Sequence, residues 1–294
     1  MMNYMKIIKQ VKSKDGIAVK FLQQTHDDHI IETGYYSLDE NIVCISTQIG
    51  CPMGCIFCAT TAPVDKLNPK LNFIRNLSCE EICRQVDNVL EAMANKDVGG
   101  KSVLLSYMGM GEPFLNYKNV ICSIRKLSLK HLNIKRVTLA TSGLFPSKIR
   151  GLAKEKFGTK VKVQLSLHAP EEELRKKIMP ASKSIKRAIE AMVFYSKMKN
   201  EKLKINYALI SGINDSDENA HKLAKILMPY KENFILKLMV LHNFKKFKKS
   251  NDKRFDCFKK ILENSGIEVV KFLGDGLDIK ASCGQLRRHY YKGK

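Results

Sequence analysis

The chain has 294 residues, 44% of them hydrophobic, and its 51 Lys and Arg exceed its 29 Asp and Glu to give a net charge of +22. A chain of this length can form a complete hydrophobic core in one large domain or two smaller ones. It contains no run of about 18 uncharged apolar residues and no charged-then-apolar leader, which excludes a helical membrane span and leads us to expect a cytoplasmic protein.

The positive charge favours a polyanionic partner, for which nucleic acid is the obvious candidate. A genome biased toward Lys codons is the alternative, but it would not shift the balance between basic and acidic residues this far. Nine cysteines without an export signal are typical of a reducing compartment. They indicate metal or catalytic roles rather than a disulfide framework.

Strand-like and helix-like segments alternate along the chain. Residues 1–40 predict a short N-terminal β extension, with strands at 16–22 and 30–36. The later predicted strands are 42–49, 102–108, 136–141, 162–168, 203–210 and 234–241, with a possible edge strand at 267–272. The predicted helices are 78–95, 117–130, 147–156, 184–199, 216–228 and 252–264.

Six β-then-α units in series predict a parallel sheet with right-handed crossovers. The count fits an α/β fold of the partial (β/α)6 type, an open relative of the TIM barrel, over residues 41–286. A basic C-terminal tail is expected at 287–294. Active sites of such barrels lie at the C-terminal ends of the strands.

Three cysteines, Cys51, Cys55 and Cys58, follow the first predicted barrel strand with the spacing C-x3-C-x2-C. Thiolates hold iron–sulfur clusters, and three local cysteines leave one iron of a 4Fe–4S cluster open. The alternative is zinc, which takes a closed set of four ligands, and no Cys or His follows at the usual short distance. The motif resembles that of the radical S-adenosylmethionine (SAM) enzymes, which implies that SAM binds the open iron.

A glycine-rich segment at 107–113 ends the second predicted barrel strand and carries Gly111 and Glu112. Glycine lets a ligand approach the backbone closely, and a carboxylate can bind an ammonium group. Such strand ends are common as turns, but beside a cluster motif this one predicts the site of the SAM amine.

Further motifs resemble those of the RlmN/Cfr family of radical SAM RNA methyltransferases, which methylate a ring carbon of adenine. The matching segments keep the family's order; they are 32–33, 44–51, 58–60, 75–78, 108–113, 166–168, 211–215 and 278–286. The resemblance implies a 4Fe–4S cluster and two SAM molecules per turnover. It also implies that SAM contacts Gly111, Glu112, Ser142, Ser166, Leu167, His168 and Asn243.

The same resemblance assigns catalytic roles to two further cysteines. One SAM methylates Cys283, and a 5′-deoxyadenosyl radical from the second SAM takes hydrogen from that methyl group. The methylene radical adds to the adenine, after which Cys44 removes the ring proton and closes a disulfide with Cys283. The resemblance also implies that Glu32 is a proton acceptor, with a solvated carboxylate at a strand edge as the alternative.

Four other cysteines, Cys79, Cys83, Cys122 and Cys257, lie in predicted helices and are interpreted as packing residues. The lysine-rich run 245–249, with Phe247 among the lysines, follows the sixth predicted barrel strand at the active-site end. It predicts contact with RNA phosphates, with a solvated loop as the alternative.

Several features differ from the family pattern. Only 31 residues precede Glu32, where the family has a helical accessory domain, so we expect that domain to be absent. The loop 61–74 is longer, Ala140 replaces a serine two residues before Ser142, and Lys280 replaces an acidic residue. No change removes a cluster ligand, Cys44 or Cys283, which predicts a retained mechanism and leaves the RNA target open.

The sequence therefore predicts a divergent radical SAM enzyme that methylates carbon 2 of an adenine in 23S rRNA or tRNA. Methylation at carbon 8 and the same chemistry on another substrate are the alternatives. An RNA-binding protein with a structural cluster is disfavoured because it would need neither Cys44 nor Cys283. We expect a monomer that receives electrons from a flavodoxin- or ferredoxin-like protein.

Overall fold

The structure is a computed structural model that describes residues 5–61, 72–94, 101–279, 281 and 284–292. Its strands are β1 (Met5–Lys12), β2 (Ala18–Thr25), β3 (Ile30–Ser37), β4 (Asn41–Cys44), β5 (Gln48–Gly50), β6 (Phe73–Asn76), β7 (Val103–Tyr107), β8 (Ile134–Thr141), β9 (Lys160–Ser166), β10 (Leu203–Leu209), β11 (Phe234–Val240) and β12 (Val269–Phe272). In the described part of the chain, none of the helices combines the length and apolar character that crossing a membrane requires.

The helices are α1 (Cys79–Met93), α2 (Tyr117–Lys130), α3 (Pro146–Lys154), α4 (Glu172–Ile178), α5 (Ile185–Lys199), α6 (Asp217–Leu227), α7 (Asp252–Asn264) and α8 (Gln285–Lys292). The predicted capping box of α1 is confirmed, since Ser78 and Glu81 bond each other's backbone N–H groups. The short helix α4 was not predicted, and α8 lies where the sequence predicts a basic tail.

Ten strands form one sheet in the order β1-β2-β3-β4-β7-β8-β9-β10-β11-β12. Strands β4 and β7 to β12 pair in parallel, whereas β1 to β4 pair antiparallel. The predicted α/β fold with a parallel sheet is confirmed. The antiparallel strands extend the barrel sheet at its first edge.

Side chains alternate between the helix layer and the barrel interior. On β9, Val161, Val163 and Leu165 belong to the main hydrophobic core, and the intervening Lys162, Gln164 and Ser166 are partly buried. Because successive side chains of a strand point to opposite faces, this second set lines the barrel interior. The interior is therefore polar where it approaches the strand ends.

The predicted strand 42–49 is wrong as a single element. Strand β4 ends at Cys44, and β5 pairs with β6 in a separate two-stranded sheet. Between them, the Gln85 side chain of α1 accepts from the Ser46 N–H at 2.9 Å and donates to the Ser46 carbonyl at 2.8 Å. A side chain thus takes the backbone bonds that a continuous strand would give to its neighbour.

Candidate active site

The cluster loop, defined as residues 50–61, carries the three predicted metal ligands after β5. Gly50 has φ +82°, and a Cβ there would lie 2.2 Å from the Asn72 carbonyl oxygen, so the turn into the loop requires glycine. The Thr61 hydroxyl lies 2.9 Å from the Cys55 carbonyl oxygen and 2.8 Å from that of Cys58. These bonds hold the two last cysteines in one compact turn.

The thiols of Cys51, Cys55 and Cys58 share one buried environment. Burial raises the pKa of each thiol, and the charge of Cys58 raises the pKa of Cys51 and Cys55 further. Three such thiols resist ionisation by themselves, whereas a coordinated cation keeps a thiol deprotonated. The donor set is that of a metal centre.

The number of thiols favours a cluster over a single zinc ion. Structural zinc takes a closed set of four ligands, whereas three thiolates leave one iron of a 4Fe–4S cluster open. Among the described residues, the trio of donor atoms close enough to one another to hold a single ion is His26, Asp27 and Glu81 rather than the three cysteines. The cysteines fit an iron–sulfur cluster.

Glu112, at the end of β7, is a buried carboxylate beside these cysteines. Its oxygens accept from the Ser142 N–H at 2.8 Å and the Phe114 N–H at 3.2 Å. No described lysine, arginine or histidine lies within 4.0 Å of it, and burial raises its pKa. Its negative charge contributes to the raised pKa of the Cys51 and Cys55 thiols. A carboxylate in this place fits the ammonium group of a SAM bound next to the cluster.

Gly111 lets the segment after β7 pack closely against the start of β5. It has φ +105°, and a Cβ would lie 2.7 Å from Thr47 Oγ1 and 2.7 Å from Gln48 Cβ. Any other residue would therefore push the segment that carries Glu112 away from Thr47 and Gln48.

Arg175 of α4 is a structural residue of the site that the sequence analysis missed. It is fully buried, and its guanidinium donates to the carbonyl oxygens of Leu167 at 3.0 Å, Ser142 at 2.6 Å and Ser166 at 3.0 Å. A fourth bond reaches the Lys183 carbonyl at 2.9 Å. Arg175 thus joins the ends of β8 and β9, where SAM contacts are predicted.

The predicted SAM contacts at the end of β9 differ in which of their atoms can reach a ligand. Ser166 faces the barrel interior, whereas the Leu167 side chain is fully buried in the main core, so only its backbone can reach a ligand. His168 has φ +58°, and its ring meets Phe57 of the cluster loop edge-on at 5.1 Å between centroids. Its Nδ1 accepts from the Ala208 N–H at 3.0 Å, and burial lowers its pKa to about 3, so the ring is neutral.

Asn243 directly precedes the lysine loop, defined as residues 244–249. Its Oδ1 accepts from the Lys249 N–H at 2.8 Å, which closes the loop. Phe244 packs on Ala59 of the cluster loop, while the four lysines of the loop are exposed. The structure thus places exposed positive charge directly beside the cluster loop.

Cys44, at the end of β4, is partly buried with its side chain toward the barrel interior. Its thiol interacts electrostatically with the ammonium group of Lys237 on β11, across the barrel. Lys237 lies over the Phe272 ring at 3.5 Å, and burial, assisted by Lys204, lowers its pKa to about 8. Cys44 therefore interacts with a partly buried cation that sequence reasoning did not identify.

The described residues include Glu32 but not Cys283. Glu32 on β3 is 1% exposed, and its carboxylate contacts the backbone N–H groups of Gly284 and Arg287. Cys283 lies outside the described residues, although its neighbour Gly284 lies within them. The catalytic roles assigned to both residues stay predictions.

The interpretation of the four helical cysteines as packing residues is wrong for Cys79, Cys122 and Cys257. Cys79 and Cys122 form a disulfide that joins α1 to α2, with their Cα atoms 5.9 Å apart. Cys257 is exposed, and Cys83 is partly buried. The spacing of 43 residues between Cys79 and Cys122 gives no sequence signal for their pairing.

A family model of known proteins matches this chain and gives its class. Residues 45–224 match the family model of the Radical SAM superfamily, which is more than half of the chain. The chain therefore belongs to the radical SAM superfamily, whose members use a 4Fe–4S cluster and SAM. The three cysteines and Glu112 fit both groups.

Close relatives define the particular family. The "Probable dual-specificity RNA methyltransferase RlmN" of Thermotoga petrophila is 40% identical over 95% of this chain and 78% of the relative. A protein of the same name from Clostridium tetani is 37% identical over 97% of this chain and 79% of its own. A solved radical SAM methyltransferase from Sphaerobacter thermophilus superposes with a TM-score of 0.85 at 33% identity, covering 96% of this chain and 81% of that one. The chain belongs to the RlmN family.

Proposed function

We propose that this enzyme methylates a ring carbon of an adenine in RNA, most specifically carbon 2 of an adenine in 23S rRNA or tRNA. The methyl group would be carried on Cys283. The proposal is supported by the relatives' names and by the net charge of +22, which suits an RNA partner. We also propose a cytoplasmic monomer that is reduced by a flavodoxin- or ferredoxin-like protein.

One observation carries the proposal. Gly284, the residue after Cys283, packs so closely on the cluster loop that a Cβ would lie 2.4 Å from the Thr60 backbone nitrogen. Cys44 lies at the end of β4, which leads through β5 into the same loop. Gly284, which follows one proposed catalytic cysteine in the sequence, and the side chain of Cys44 therefore lie at the same end of the barrel as the three proposed cluster ligands.

The chemistry explains why two cysteines are needed. Carbon 2 of adenine is electron-poor and cannot attack the methyl group of SAM as a nucleophile. When bound, the cluster would supply the one-electron chemistry of the reaction, namely reduction of the second SAM, which yields methionine and a 5′-deoxyadenosyl radical, and oxidation of the base adduct. Glu112 would hold the ammonium group of SAM, and Cys283 would carry the methyl group from which the radical takes hydrogen.

Cys44 would complete the reaction. After the Cys283 methylene has bonded to the ring carbon, the Cys44 thiolate takes the ring proton and passes it to solvent, and the regenerated thiolate then attacks the Cys283 sulfur. The electron pair of the broken sulfur–carbon bond stays with the methylene carbon, which takes a proton to become the methyl group. The two cysteines leave as a disulfide that an external thiol must reduce. Lys237, facing Cys44, would stabilise the thiolate.

The test is the variant Cys44→Ala, incubated with SAM, reductant and RNA. We expect an RNA–protein adduct through Cys283 that survives denaturing electrophoresis, because the step that breaks the sulfur–carbon bond is blocked. The control is Cys257→Ala, which removes an exposed cysteine far from this role and should give methylated RNA without an adduct. A Cys44→Ala protein that turns over normally, or that never bonds to RNA, contradicts the two-cysteine scheme.

A further inference from the structure

Three neighbouring donors contact the carboxylate of Glu32. Its Oε1 accepts from the Arg287 N–H at 2.6 Å, and its Oε2 accepts from the Gly284 N–H at 3.0 Å. The ammonium group of Lys20 on β2 lies 3.0 Å from Oε2, and the Lys20 side chain is 2% exposed. Glu32 is thus a buried, ion-paired carboxylate at the first turn of α8, where helical N–H groups lack partners within the helix.

The same end of α8 rests on the cluster loop. Gly284 has φ +82°, and its close approach to Thr60 tolerates no side chain. The Arg287 side chain is 2% exposed and donates to the Thr60 carbonyl oxygen at 3.4 Å. Thr60 follows the cluster ligand Cys58 by two residues. Glu32 therefore holds the helix end that packs on the cluster loop.

These contacts are unsuited to a proton acceptor. A general base must reach its proton within hydrogen-bond distance, directly or through one water. Both oxygens of Glu32 already bond to backbone N–H groups, and one of them also pairs with an ammonium group. Breaking any of these contacts in a buried site would leave a donor unsatisfied.

We infer that Glu32 is a positioning residue, which with Lys20 fixes the start of α8, the helix that follows Cys283 in the sequence, on the cluster loop. The part of this inference that concerns Cys283 rests on the proposed function. The anchoring of α8 is independent of it.

Two variants and two kinds of measurement test the inference. Glu32→Gln keeps the side-chain volume but removes the charge, and Lys20→Met removes the paired cation. Both are made in the full chain with the cluster loaded, and Glu91→Gln, an exposed carboxylate on α1, is the control. The first measurement is the rate at which trypsin cleaves within α8, where Arg287 is protected by burial.

The second measurement compares two reactions of the same protein. One is methylation of Cys283, read by mass spectrometry, and the other is formation of 5′-deoxyadenosine from SAM without RNA. We expect cleavage in α8 to accelerate and Cys283 methylation to fall, each by about tenfold or more in Glu32→Gln, since buried charged hydrogen bonds are lost. SAM cleavage should stay within about twofold, a separation that general unfolding would not produce.

Three results would contradict the inference or the proposed function, and they can be told apart. If Glu32→Gln methylates Cys283 fully and then accumulates an RNA adduct, Glu32 is a proton acceptor and the inference is wrong. If trypsin cleaves all proteins alike, Glu32 does not anchor α8. If the unmodified protein itself never methylates Cys283, the proposed function fails, while the proteolysis still decides whether Glu32 anchors the helix.

Discussion

The strand ends that surround Glu112 and the segments that surround the lysine loop are stabilised in different ways. Around Glu112, backbone N–H groups hold the carboxylate, and Arg175 bonds four carbonyl oxygens. The lysine loop instead buries two phenylalanines and exposes its lysines, and α8 beside it is held by Glu32. The first region has fixed geometry, as a small charged ligand requires. The second offers charge over an area, as a polyanion requires.

The largest effect is expected from Glu112→Gln. The amide keeps the shape of the side chain but loses the charge that would bind the SAM ammonium group. The dissociation constant for SAM should rise about 100-fold, which corresponds to roughly 2.7 kcal/mol for a buried charged hydrogen bond. Equilibrium dialysis of cluster-loaded protein measures it, with Glu91→Gln as control. Unchanged SAM affinity would show that Glu112 does not bind the SAM ammonium group.

An intermediate effect is expected when the four lysines Lys245, Lys246, Lys248 and Lys249 are replaced by glutamine. RNA binding should weaken at every sequence, and the slope of log affinity against log salt should fall by about 3, because each phosphate contact with single-stranded RNA contributes roughly 0.7. SAM cleavage without RNA should not change. The matched control replaces four exposed lysines on the outer helices, Lys154, Lys197, Lys225 and Lys260. Equal salt slopes in the two variants would show that the lysine loop has no special place in RNA binding.

The smallest effect concerns Lys237, between the two regions. Its pKa is lowered to about 8 in the folded protein, below its ordinary value of about 10.4. Between these values the unfolded chain binds more protons at this site, so the contribution of Lys237 to the free energy of unfolding should rise with pH, by about 1 to 3 kcal/mol. The buried cysteine thiols, whose pKa values are raised, contribute with the opposite sign, so the Lys237 effect is read as a difference between two proteins. Urea unfolding of cluster-free protein at pH 8 and pH 10 measures it: the stability of the unchanged protein relative to Lys237→Met should rise between the two pH values, and its stability relative to Lys197→Met should not change. Equal pH dependence in the unchanged protein and in Lys237→Met would show that Lys237 has the pKa of a lysine in water.

The sequence predicted the alternation of strands and helices because their hydrophobic periods differ, and it predicted Cys51, Cys55 and Cys58 because their spacing is local. It could not reveal Arg175, since an arginine in a charged helical stretch is normally exposed. Lys237 was missed for a similar reason. Lys237 is the one polar residue of β11, between Ile235 and Met239 on the same face, and the sequence of a strand does not tell whether such a face meets solvent or a barrel interior.

The division of the predicted strand 42–49 into two elements could not be predicted from the sequence either. It depends on Gln85, which bonds both backbone groups of Ser46 from a distant helix. The pairing of Cys79 with Cys122 also depends on how α1 and α2 pack. Such features come from contacts between segments far apart in the sequence, and no local pattern encodes them.

The most direct test of the central claim is the mass of the Cys283 peptide from protein produced with its cluster intact and supplied with SAM. We expect the added mass of one methyl group on Cys283, and its absence in the Cys55→Ala variant that cannot hold the cluster. An unmodified Cys283 in cluster-loaded protein that cleaves SAM would contradict the methyl-cysteine mechanism and leave only radical SAM chemistry.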